Sequence, residues 1–368
     1  MLLSDICEII MGQSPSSDSY NVKGQGLPFF QGNADFGKLY PSVRLWCNCP
    51  IKKAEAGDLL VSVRAPIGAV NLANQKCCIG RGLAALRPYK DKCDAMYLYY
   101  LIKAGKNKLN WLGTGSTFKA ITRSSLLSFN VPDYCIALQR KISGKLWSVD
   151  KLIHQRNEQL KLFNLLIQSR FLELFGELWV NDKGFPCYSV GQVAESVTYG
   201  TSAPASNSGQ YEYLRMNNLT DNGQLDLSDL KRIDMSDDQA EKYMAKKGDI
   251  LFNRTNSIDL VGKTALFNLN NPMIIAGYLI RIRLSDKVNP VYFAAYMNMP
   301  YMKEKLRNMA KGAVNQANIN SKELKSIQIL IPPLSLQNEY CNFVLSIDKS
   351  KYCGTISLHL LEDVSHML

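Results

Sequence analysis

Two stretches decide the fold: ALQRKISGKLWSVDK at residues 137–151 and SLQNEYCNFVLSIDK at residues 335–349, which are copies of one pattern separated by 198 positions. The residues that recur in the first copy are Leu138, Gln139, Ser148, Asp150 and Lys151. Their counterparts in the second copy are Leu336, Gln337, Ser346, Asp348 and Lys349. A repeat fixes the architecture before any single element is assigned. We therefore expect one structural plan to occur twice.

Looser matches extend the repeat upstream. GDLLVS at 57–62 resembles GDILFN at 248–253, and GQSP at 12–15 resembles GTSAP at 200–204. The order of these matches is preserved although their offset drifts, so insertions separate the two halves. The Gly-Asp pairs that open the first two stretches are predicted to form turns. The chain is predicted to comprise a domain at 1–137, a helix at 138–177, a domain at 178–335 and a helix at 336–368.

Each domain is predicted to be mixed α and β, an α+β fold. Short β-rich runs at 59–63, 250–252 and 279–284 are bounded by Gly, Asp and Asn, which favour turns. Segments 95–108 and 290–310 carry Leu, Met, Tyr and Lys at helical spacing. We expect a helix in each of these two segments, late in its domain.

The segment 138–175 is predicted to form a long helix with a heptad seam, because its apolar residues alternate in steps of four and three. At 1.5 Å per residue it would span roughly 57 Å, more than one domain needs for its own core. Gly176 is expected to end it. The repeat supplies an antiparallel partner helix, although each helix could instead simply cap its own domain. The predicted helix-pair seam consists of Ile142, Leu146, Val149, Ile153, Leu160, Phe163, Val344, Ile347, Leu358 and Leu361.

Composition excludes several classes of protein. The 368 residues include 43 Lys and Arg against 32 Asp and Glu, which gives a formal charge of +11. With 46% hydrophobic residues the chain can build cores, and it has no apolar run long enough to span a membrane. Asp5 and Glu8 stand where a secretory signal would be basic. We expect a cytoplasmic protein of two domains whose ten cysteines are thiols.

Catalytic signatures are missing from the sequence. It contains neither G-x-x-x-x-G-K-[ST] nor a strand followed by G-x-G-x-x-G, and no Asn/Asp-Pro-Pro-Tyr/Phe motif. The three histidines offer little for a catalytic triad, and the spacing of the cysteines does not suit zinc. The sequence therefore favours binding over catalysis, with no catalytic residue, metal or cofactor of its own.

The excess positive charge lies mainly on the two predicted domains. Counted along the sequence, residues 1–137 carry +7 and residues 178–335 carry +3, whereas the helical segments carry +3 and −2. Opposite charges favour pairing between the two helices. Two similar basic domains on a helical spacer suit a ligand that repeats along an axis, as double-stranded DNA does.

Five stretches of the sequence together form an ordered pattern. They are MGQSPSSDSYNVKGQGLPFFQGNADFG (11–37), KKAEAGDLLVSVRAPIGAVNLA (52–73), CCIGRGLAALRP (77–88), GTGSTFKAITRSSLLSFNVP (113–132) and MAKKGDILFNRTNSIDLVGKTAL (244–266). With these stretches, the sequence as a whole resembles the specificity subunits of Type I restriction–modification systems. Single motifs such as GDLL are weak signals, but their ordered duplication is specific.

The resemblance implies a non-catalytic targeting subunit. Each target recognition domain would read one half of a bipartite DNA site, and the antiparallel helix pair would fix the spacer between the halves. The implied partners are double-stranded DNA, two methyltransferase (modification) subunits and the restriction/translocase subunits. S-adenosylmethionine, ATP and Mg²⁺ would be bound by those partners, which methylate adenine N6. The final helix departs from the family pattern, since it is shorter and has Lys351 and Gly354 at seam positions.

Three paired clusters supply the candidate DNA-binding residues. They are Gln31, Asn33, Arg64, Thr117, Lys119, Thr122, Arg123, Arg215, Asn217, Asn253, Arg254, Asn256, Asn315, Gln316 and Asn318. Arg, Asn and Gln can form paired hydrogen bonds with base edges, and Lys binds phosphate. Lys119 and Arg123 would share one face if their stretch is helical.

Each cluster also has a structural interpretation. Arg64 follows a predicted strand and could be an ordinary surface arginine, while the group around Asn253, which takes the equivalent position in the second domain, is harder to explain by packing. Gln31, Asn33 and their counterparts could form Asx turns. Tyr199 is predicted to belong partly to the core rather than to stack on bases.

Two other functions stay open at this stage. A nuclease could hide its active site among Asp and Glu residues that form no motif, and a scaffold could use the paired domains to bind protein. Cleavage of plasmid by the isolated chain would indicate the first. Insensitivity of DNA affinity to salt would indicate the second.

Overall fold

The computed structural model describes residues 1–113, 119–313 and 316–367, and for 311–313 and 352–367 it describes the backbone only. It comprises two compact units. The first unit contains Met1–Arg156 with Ser357–Leu368, and the second contains Asn157–Ile356.

The first unit is built from two sheets with helices packed against them. Its elements are α1 (Leu3–Ile6), β1 (Cys7–Met11), β2 (Tyr20–Asn21), β3 (Leu27–Phe30), β4 (Leu45–Cys47), β5 (Lys53–Ala54), β6 (Leu59–Ser62), β7 (Val70–Leu72), β8 (Cys77–Ile79), β9 (Leu83–Pro88), α2 (Ala95–Ala104), α3 (Lys106–Leu112), α4 (Arg123–Leu127) and the first half of α5 (Ile136–Phe175). One sheet has the order β1-β9-β6-β7 and the other β2-β4-β3-β8-β5.

The second unit contains the rest of α5 and a longer set of elements. They are β10 (Cys187–Ser189), α6 (Val190–Val193), β11 (Ala194–Tyr199), β12 (Tyr211–Leu214), β13 (Lys231–Ile233), α7 (Asp237–Tyr243), β14 (Met244–Ala245), β15 (Ile250–Asn253), β16 (Thr255–Asn256), β17 (Thr264–Leu266), β18 (Met273–Ile275), β19 (Leu279–Leu284), α8 (Pro290–Asn298), α9 (Pro300–Met309), β20 (Lys311–Ala313), β21 (Gln316–Asn318), α10 (Ser321–Ser326), β22 (Gln328–Leu330) and, as far as Ile356, α11 (Leu334–Met367).

The topology confirms the internal repeat and the mixed α/β class. The order β1-β9-β6-β7 recurs as β11-β19-β15-β17, and β4-β3-β8-β5 recurs as β13-β12-β18-β14. In each second sheet one pair is parallel, β3 with β8 and β12 with β18, while the strands beside this pair run antiparallel. Two sequences that share few residues therefore fold on one plan.

The Gly-Asp turns before β6 and β15 form as predicted, and each also carries an ion pair between a buried aspartate and a partly exposed arginine. Gly57 and Gly248 have φ of 92° and 99°, which a side chain would disfavour. Asp58 accepts hydrogen bonds from both the Nε and the Nη2 of Arg87, at 3.0 and 2.9 Å. Asp249 accepts the same pair from Arg283, at 2.8 and 2.9 Å. Each turn is thus tied to the neighbouring central strand.

Both late-domain segments are helical, as predicted, and each is interrupted once. Segment 95–108 breaks at Gly105 between α2 and α3, and segment 290–310 breaks at Met299 between α8 and α9. Pro300 explains the second break, because proline has no N–H to donate and disfavours helical backbone in the residue before it. The side chain of Asp94 caps α2 by accepting the Tyr97 N–H at 2.9 Å.

In the first unit, α5 is attached to its domain by a buried glutamine. Gln139 accepts the N–H of Asp94 at 3.0 Å and donates to the carbonyl oxygens of Lys92 and Tyr134 at 2.9 and 2.8 Å. Ile142 and Leu146 pack into the domain core. These two predicted seam residues therefore attach the helix to its own domain, because they belong to the apolar face of the helix that packs against the domain core.

In the second unit, the end of α5 packs against α8 and the start of α11. Phe171 and Phe175 are buried, with ring centroids 5.4 and 5.6 Å from that of Tyr340. Arg170 of α5 forms an ion pair with Glu339 of α11. Gly176 has φ of 71° directly after the helix, which confirms its predicted role at the helix end.

The attachment of α11 repeats that of α5. Gln337 is buried, accepts the Asn289 N–H at 2.8 Å and donates to the carbonyl oxygens of Lys287 and Pro332. Val344 packs against the domain core, so it too seats a helix on its domain. The backbone of α11 stays helical through Gly354. Lys351 pairs with Asp348 at 3.5 Å.

The remaining seam residues are partly buried on helices whose other faces are exposed. This group contains Val149, Ile153, Leu160, Phe163 and Ile347. The side chains of Leu358 and Leu361 lie outside the described residues. Pairing along the full seam, and the division into four segments, stay predictions.

Candidate nucleic-acid interface

The ends of several strands meet at one edge of the first unit, formed by residues 12–14, 31–33, 63–64, 80–82 and 119–121 and called here the first edge. Backbone hydrogen bonds join its segments in sequence. Gly12 N–H donates to Leu83 O at 2.9 Å, Gly80 N–H to Phe30 O at 2.8 Å, and Val63 N–H to Gly82 O at 2.9 Å. Ile121 N–H donates to Val63 O at 2.8 Å, which brings in the last segment.

Glycines allow the segments of the first edge to lie this close together. A Cβ atom added at Gly12 would lie 2.1 Å from Gly80 O, and one added at Gly82 would lie 2.5 Å from Gln31 O. Side chains cannot occupy such gaps, so the backbones approach directly. The side chains of the neighbouring residues Gln31 and Arg81 are consequently exposed.

The first edge carries exposed cations. Arg64, Arg81 and Lys119 are exposed, and none of them forms an ion pair with an acidic residue in the described part of the chain. Gln31 is exposed beside them, and Asn33 is half-buried. This combination of free cations and an amide can bind phosphate and read base edges.

Arg81 was missed by the sequence analysis, although it stands between two glycines in the quoted stretch CCIGRGLAALRP. The signal that could have identified Arg81 is its position between Gly80 and Gly82, because glycines often mark places where two backbones lie close together. Its N–H donates to Ser14 Oγ at 3.2 Å, which ties the arginine to the loop after β1.

The cluster around Lys119 differs from the predicted helical face. Helix α4 begins at Arg123, and Thr122 is its N-cap, accepting the Ser125 N–H at 3.2 Å. Lys119 precedes the helix, so the two cations do not share a helical face, because a capping threonine takes non-helical backbone angles. Lys119 belongs to the first edge. Thr122 and Arg123 are exposed, and Thr117 lies outside the described residues.

The second unit presents an equivalent surface, the second edge, formed by residues 199–201, 214–218, 254–256, 276–278 and 316–319. Its hydrogen bonds repeat those of the first edge. Gly200 N–H donates to Leu279 O at 3.1 Å, Ala276 N–H to Leu214 O at 2.9 Å, and Arg254 N–H to Tyr278 O at 3.0 Å. Ile319 N–H donates to Arg254 O at 2.8 Å.

This correspondence gives the register between the two edges. Arg254 makes the backbone contacts that Val63 makes in the first unit, and Thr255, which pairs with Asn318, occupies the position of Arg64, which pairs with Ala120. The predicted cluster of Asn253, Arg254 and Asn256 therefore surrounds the position of Arg64, and the exact counterpart of Arg64 is a threonine. A shift of one residue in extended chain reverses the face to which a side chain points.

Arg254 is held by its neighbours rather than left free. Its guanidinium carbon lies 4.9 Å from the centroid of the Tyr199 ring, and its Nη1 donates to Gly277 O at 3.4 Å. Its Nε finds no acceptor among the described residues. Tyr199 is 37% exposed and its hydroxyl accepts the Ser321 N–H, so the prediction that it belongs partly to the core is wrong.

Asn253 supports the second edge from inside. It is buried, its Nδ2 donates to the carbonyl oxygens of Thr255 and Tyr278 at 3.2 Å, and its Oδ1 accepts from Asn256 at 2.9 Å. Its hydrogen bonds are thus satisfied within the protein, and a contact between this side chain and DNA is inconsistent with its burial. Asn256 is half-buried.

The remaining candidates of the second edge differ in exposure. Gln316 and Asn217 are exposed, and Asn318 accepts the hydroxyl of Thr255 at 2.9 Å. Arg215 is paired with Asp229 at 2.8 Å, and this contact lowers the pKa of the Asp229 carboxyl. Asn315 lies outside the described residues. Arg215 is therefore neutralised, unlike the cations of the first edge.

A half-buried lysine lies near the second edge. Lys303 of α9 donates to Gly262 O at 3.3 Å, and burial lowers its pKa from 10.5 to about 8. The neighbouring Lys263 pairs with Asp221 at 3.5 Å. The lowered pKa follows from the cost of removing a cation from water.

Neither a metal cluster nor a membrane span is found in the described part of the chain. No group of three or more His, Cys, Asp or Glu side chains is placed there to hold a metal ion. No helix among those residues is long and apolar enough to cross a membrane.

Two copies of one α/β domain, each presenting polar side chains from the ends of its sheets and each followed by a long helix, define a tandem recognition protein. Residues 1–162 and 184–352 match the family model described as Type I restriction modification DNA specificity domain. The chain belongs to this family, which confirms the resemblance seen in the sequence.

Curated relatives agree with this assignment. The chain is 43% identical over 171 residues to a putative type I restriction enzyme specificity subunit, MjaX, of Methanocaldococcus jannaschii, covering 44% of this chain and 40% of the relative. It is 26% identical over 285 residues to the EcoKI specificity subunit of Escherichia coli, covering 72% and 60%. The chain thus spans about 40 to 60% of the length of these relatives.

The fold is also similar to that of the crystallised Type-I restriction-modification system S subunit from M. genitalium. The TM-score is 0.65 at 14% sequence identity, and the match covers 100% of this chain and 93% of that one. At this identity the likeness concerns the fold alone.

Proposed function

We propose that the protein is the DNA-reading specificity subunit of a Type I restriction–modification complex. Each domain reads one half of a bipartite site, and the long helices set the distance between the halves. The observation that carries this proposal is that the first and second edges are built by the same set of backbone hydrogen bonds and both expose polar side chains. Family membership supports it, because the relatives are named specificity subunits.

The two edges contact DNA with different chemistry. At the first edge Arg64, Arg81 and Lys119 neutralise phosphates, while Gln31 is exposed beside them to read a base edge. Free cations supply affinity that depends on salt, and amides supply base discrimination. At the second edge Gln316 is exposed, and Arg254 is oriented by the Tyr199 ring. An arginine whose side chain is already ordered loses less entropy when it binds.

The subunit is non-catalytic in this proposal and recruits its enzymes. Modification subunits supply S-adenosylmethionine chemistry, and restriction subunits supply ATP-dependent translocation and Mg²⁺-dependent cleavage. The isolated chain incubated with Mg²⁺, S-adenosylmethionine and plasmid should neither cleave nor methylate it. Robust activity of the isolated chain would favour a self-sufficient nuclease or methyltransferase instead.

Exposed leucines on α5 support docking of a modification subunit. Leu162, Leu165 and Leu166 are 62, 57 and 46% exposed on the part of α5 that lies in the second unit. A helix usually exposes charged residues, so an exposed apolar group favours a protein partner. Replacing Leu162 and Leu165 by Ser should weaken capture of the modification subunit and leave the DNA affinity of the isolated chain unchanged. Unchanged capture would contradict this docking surface.

An exchange of domains tests the whole proposal. Residues 178–335 are replaced by the corresponding segment of a relative, and the methylated sites are then sequenced in cells that supply the modification subunits. One half of the recognised sequence should change while the other half stays. The reciprocal exchange of residues 1–137 is the matched control and should change the opposite half. A change of both halves by either exchange would refute the assignment of one domain to one half-site.

A further inference from the structure

The side chain of Trp111 is 89% exposed, which is unusual for the largest apolar side chain. It lies on α3, whose buried residue is Leu109. Two residues along a helix turn the side chain by about 200°, so Trp111 faces away from the domain core. Packing against the described residues of the domain therefore does not explain this tryptophan.

Helix α3 lies directly beside the first edge. A Cβ atom at Gly68, in the loop that follows Arg64, would lie 3.1 Å from Lys106 of α3. A Cβ atom at Gly113, which ends α3, would lie 3.6 Å from the Cβ of Lys119. Trp111 precedes Gly113 by two residues, so it stands within one helical turn of a residue that touches the first edge.

Two lysines share helix α3 with this tryptophan. Lys108 is exposed one turn before it on the same outward face of α3, and Lys106 begins the helix. With Arg64 and Lys119 of the first edge, these cations attract a polyanion and not an apolar protein surface. An aromatic side chain among cations can insert between bases or stack on them. Charge complementarity thus selects DNA as the occupant.

We propose that Trp111 contacts DNA as an aromatic wedge at the border of the half-site bound by the first domain. This inference rests on the proposed function and adds a contact that is independent of the charges of the first edge. Its contribution comes from stacking, so it adds to affinity without changing the number of phosphates that the protein neutralises.

The test uses the full chain and the duplexes that the wild-type chain enriches from a pool of random DNA. Trp111→Ala should raise the Kd for those duplexes roughly 5- to 100-fold, as loss of one stacking contact does. Trp111→Phe should restore most of the affinity. The salt slope of Trp111→Ala should equal that of the wild type, whereas Lys108→Ala should lower the slope. Thermal unfolding should be unaltered because the side chain is exposed.

Trp179→Ala is the matched control, because Trp179 is 66% exposed and lies in the second unit with its indole N–H bonded to Glu177. It should bind DNA as the wild type does. Intrinsic fluorescence gives a second measurement: the change on adding the enriched duplex should disappear in Trp111→Phe and persist in Trp179→Phe.

The outcomes separate the two proposals. If the wild-type chain enriches duplexes and Trp111→Ala binds them equally well, the wedge is refuted and the proposed function stands. The wedge is also refuted if Trp179→Ala weakens binding as much as Trp111→Ala. If the wild-type chain enriches no duplex, both proposals fail together.

Discussion

Removing the three free cations of the first edge should reduce the salt dependence of DNA binding by a defined amount. In the variant Arg64→Ala/Arg81→Ala/Lys119→Ala, each lost phosphate contact lowers the slope of log K against log salt by about 0.9. Three contacts lower it by about 2.7. Over a fourfold rise in salt, from about 50 to 200 mM, the affinity difference between wild type and variant should shrink about 40-fold.

The expected magnitude follows from exposure and from the absence of ion pairs within the described residues. A cation already paired to a carboxylate releases fewer counterions when it binds phosphate, and Arg64, Arg81 and Lys119 have no such pair there. Their removal exposes no core, so the domain should remain folded. Fluorescence anisotropy of labelled duplex at several salt concentrations measures the slope.

Three exposed lysines at the opposite ends of the strands provide the control. Lys90 and Lys92 follow the carboxyl end of β9, and Lys38 precedes a residue whose carbonyl oxygen bonds to Leu72 at the far end of β7. The variant Lys38→Ala/Lys90→Ala/Lys92→Ala loses the same charge and should keep the wild-type slope. An equal loss of slope in both variants would show that net charge, not the first edge, determines binding and would refute the assignment.

Three further outcomes test the scaffold. Gln139→Ala should lower the free energy of unfolding by about 3 kcal/mol in urea denaturation, because the N–H of Asp94 and the carbonyl oxygens of Lys92 and Tyr134 lose their partner. The control Gln155→Ala, at an exposed position of α5, should have no effect. Asp249→Ala should lower the free energy of unfolding by about 3 kcal/mol or more in the same assay, because the buried guanidinium of Arg281 then has no anion beside it. Full stability of this variant would contradict the pairing of Asp249 with Arg281. Because the pKa of Lys303 falls from 10.5 to about 8 on folding, the unfolded chain holds more protons between these values. Measured relative to Lys303→Met, the free energy of unfolding of the wild type should therefore rise by about 2 kcal/mol from pH 7 to 9.5, because the variant keeps every other titrating group.

The architecture could be predicted because the repeat preserves what packing requires. Gln139 and Gln337 recur because each makes the same three hydrogen bonds between a long helix and its domain. The Gly-Asp turns recur because a positive φ and the ion pair of a buried aspartate both depend on them. A residue that makes several structural contacts at once is kept in both halves of the chain, so the repeat is visible within this single sequence.

The candidate site was harder to predict, because residue type does not tell whether a side chain serves the protein or the ligand. Asn253 has the chemistry of a base-reading residue, yet it is buried and supports the backbone of the second edge. Arg81 was not selected from the sequence, yet it is exposed between two glycines at the first edge. Deciding between these roles requires the direction of the side chain, which a shift of one residue reverses.

The two edges share a scaffold and differ in the state of their cations, and this difference has a functional consequence. Cations at the first edge are free, whereas Arg254 and Arg215 at the second are held by Tyr199 and Asp229. A free cation binds any phosphate, so it favours affinity over discrimination. An arginine held in one orientation by its neighbours donates hydrogen bonds in a fixed direction, so it binds only an acceptor that lies in the matching position. The two copies therefore share the hydrogen-bond pattern that builds an edge while their side chains differ, which is what the proposed reading of two different half-sites requires.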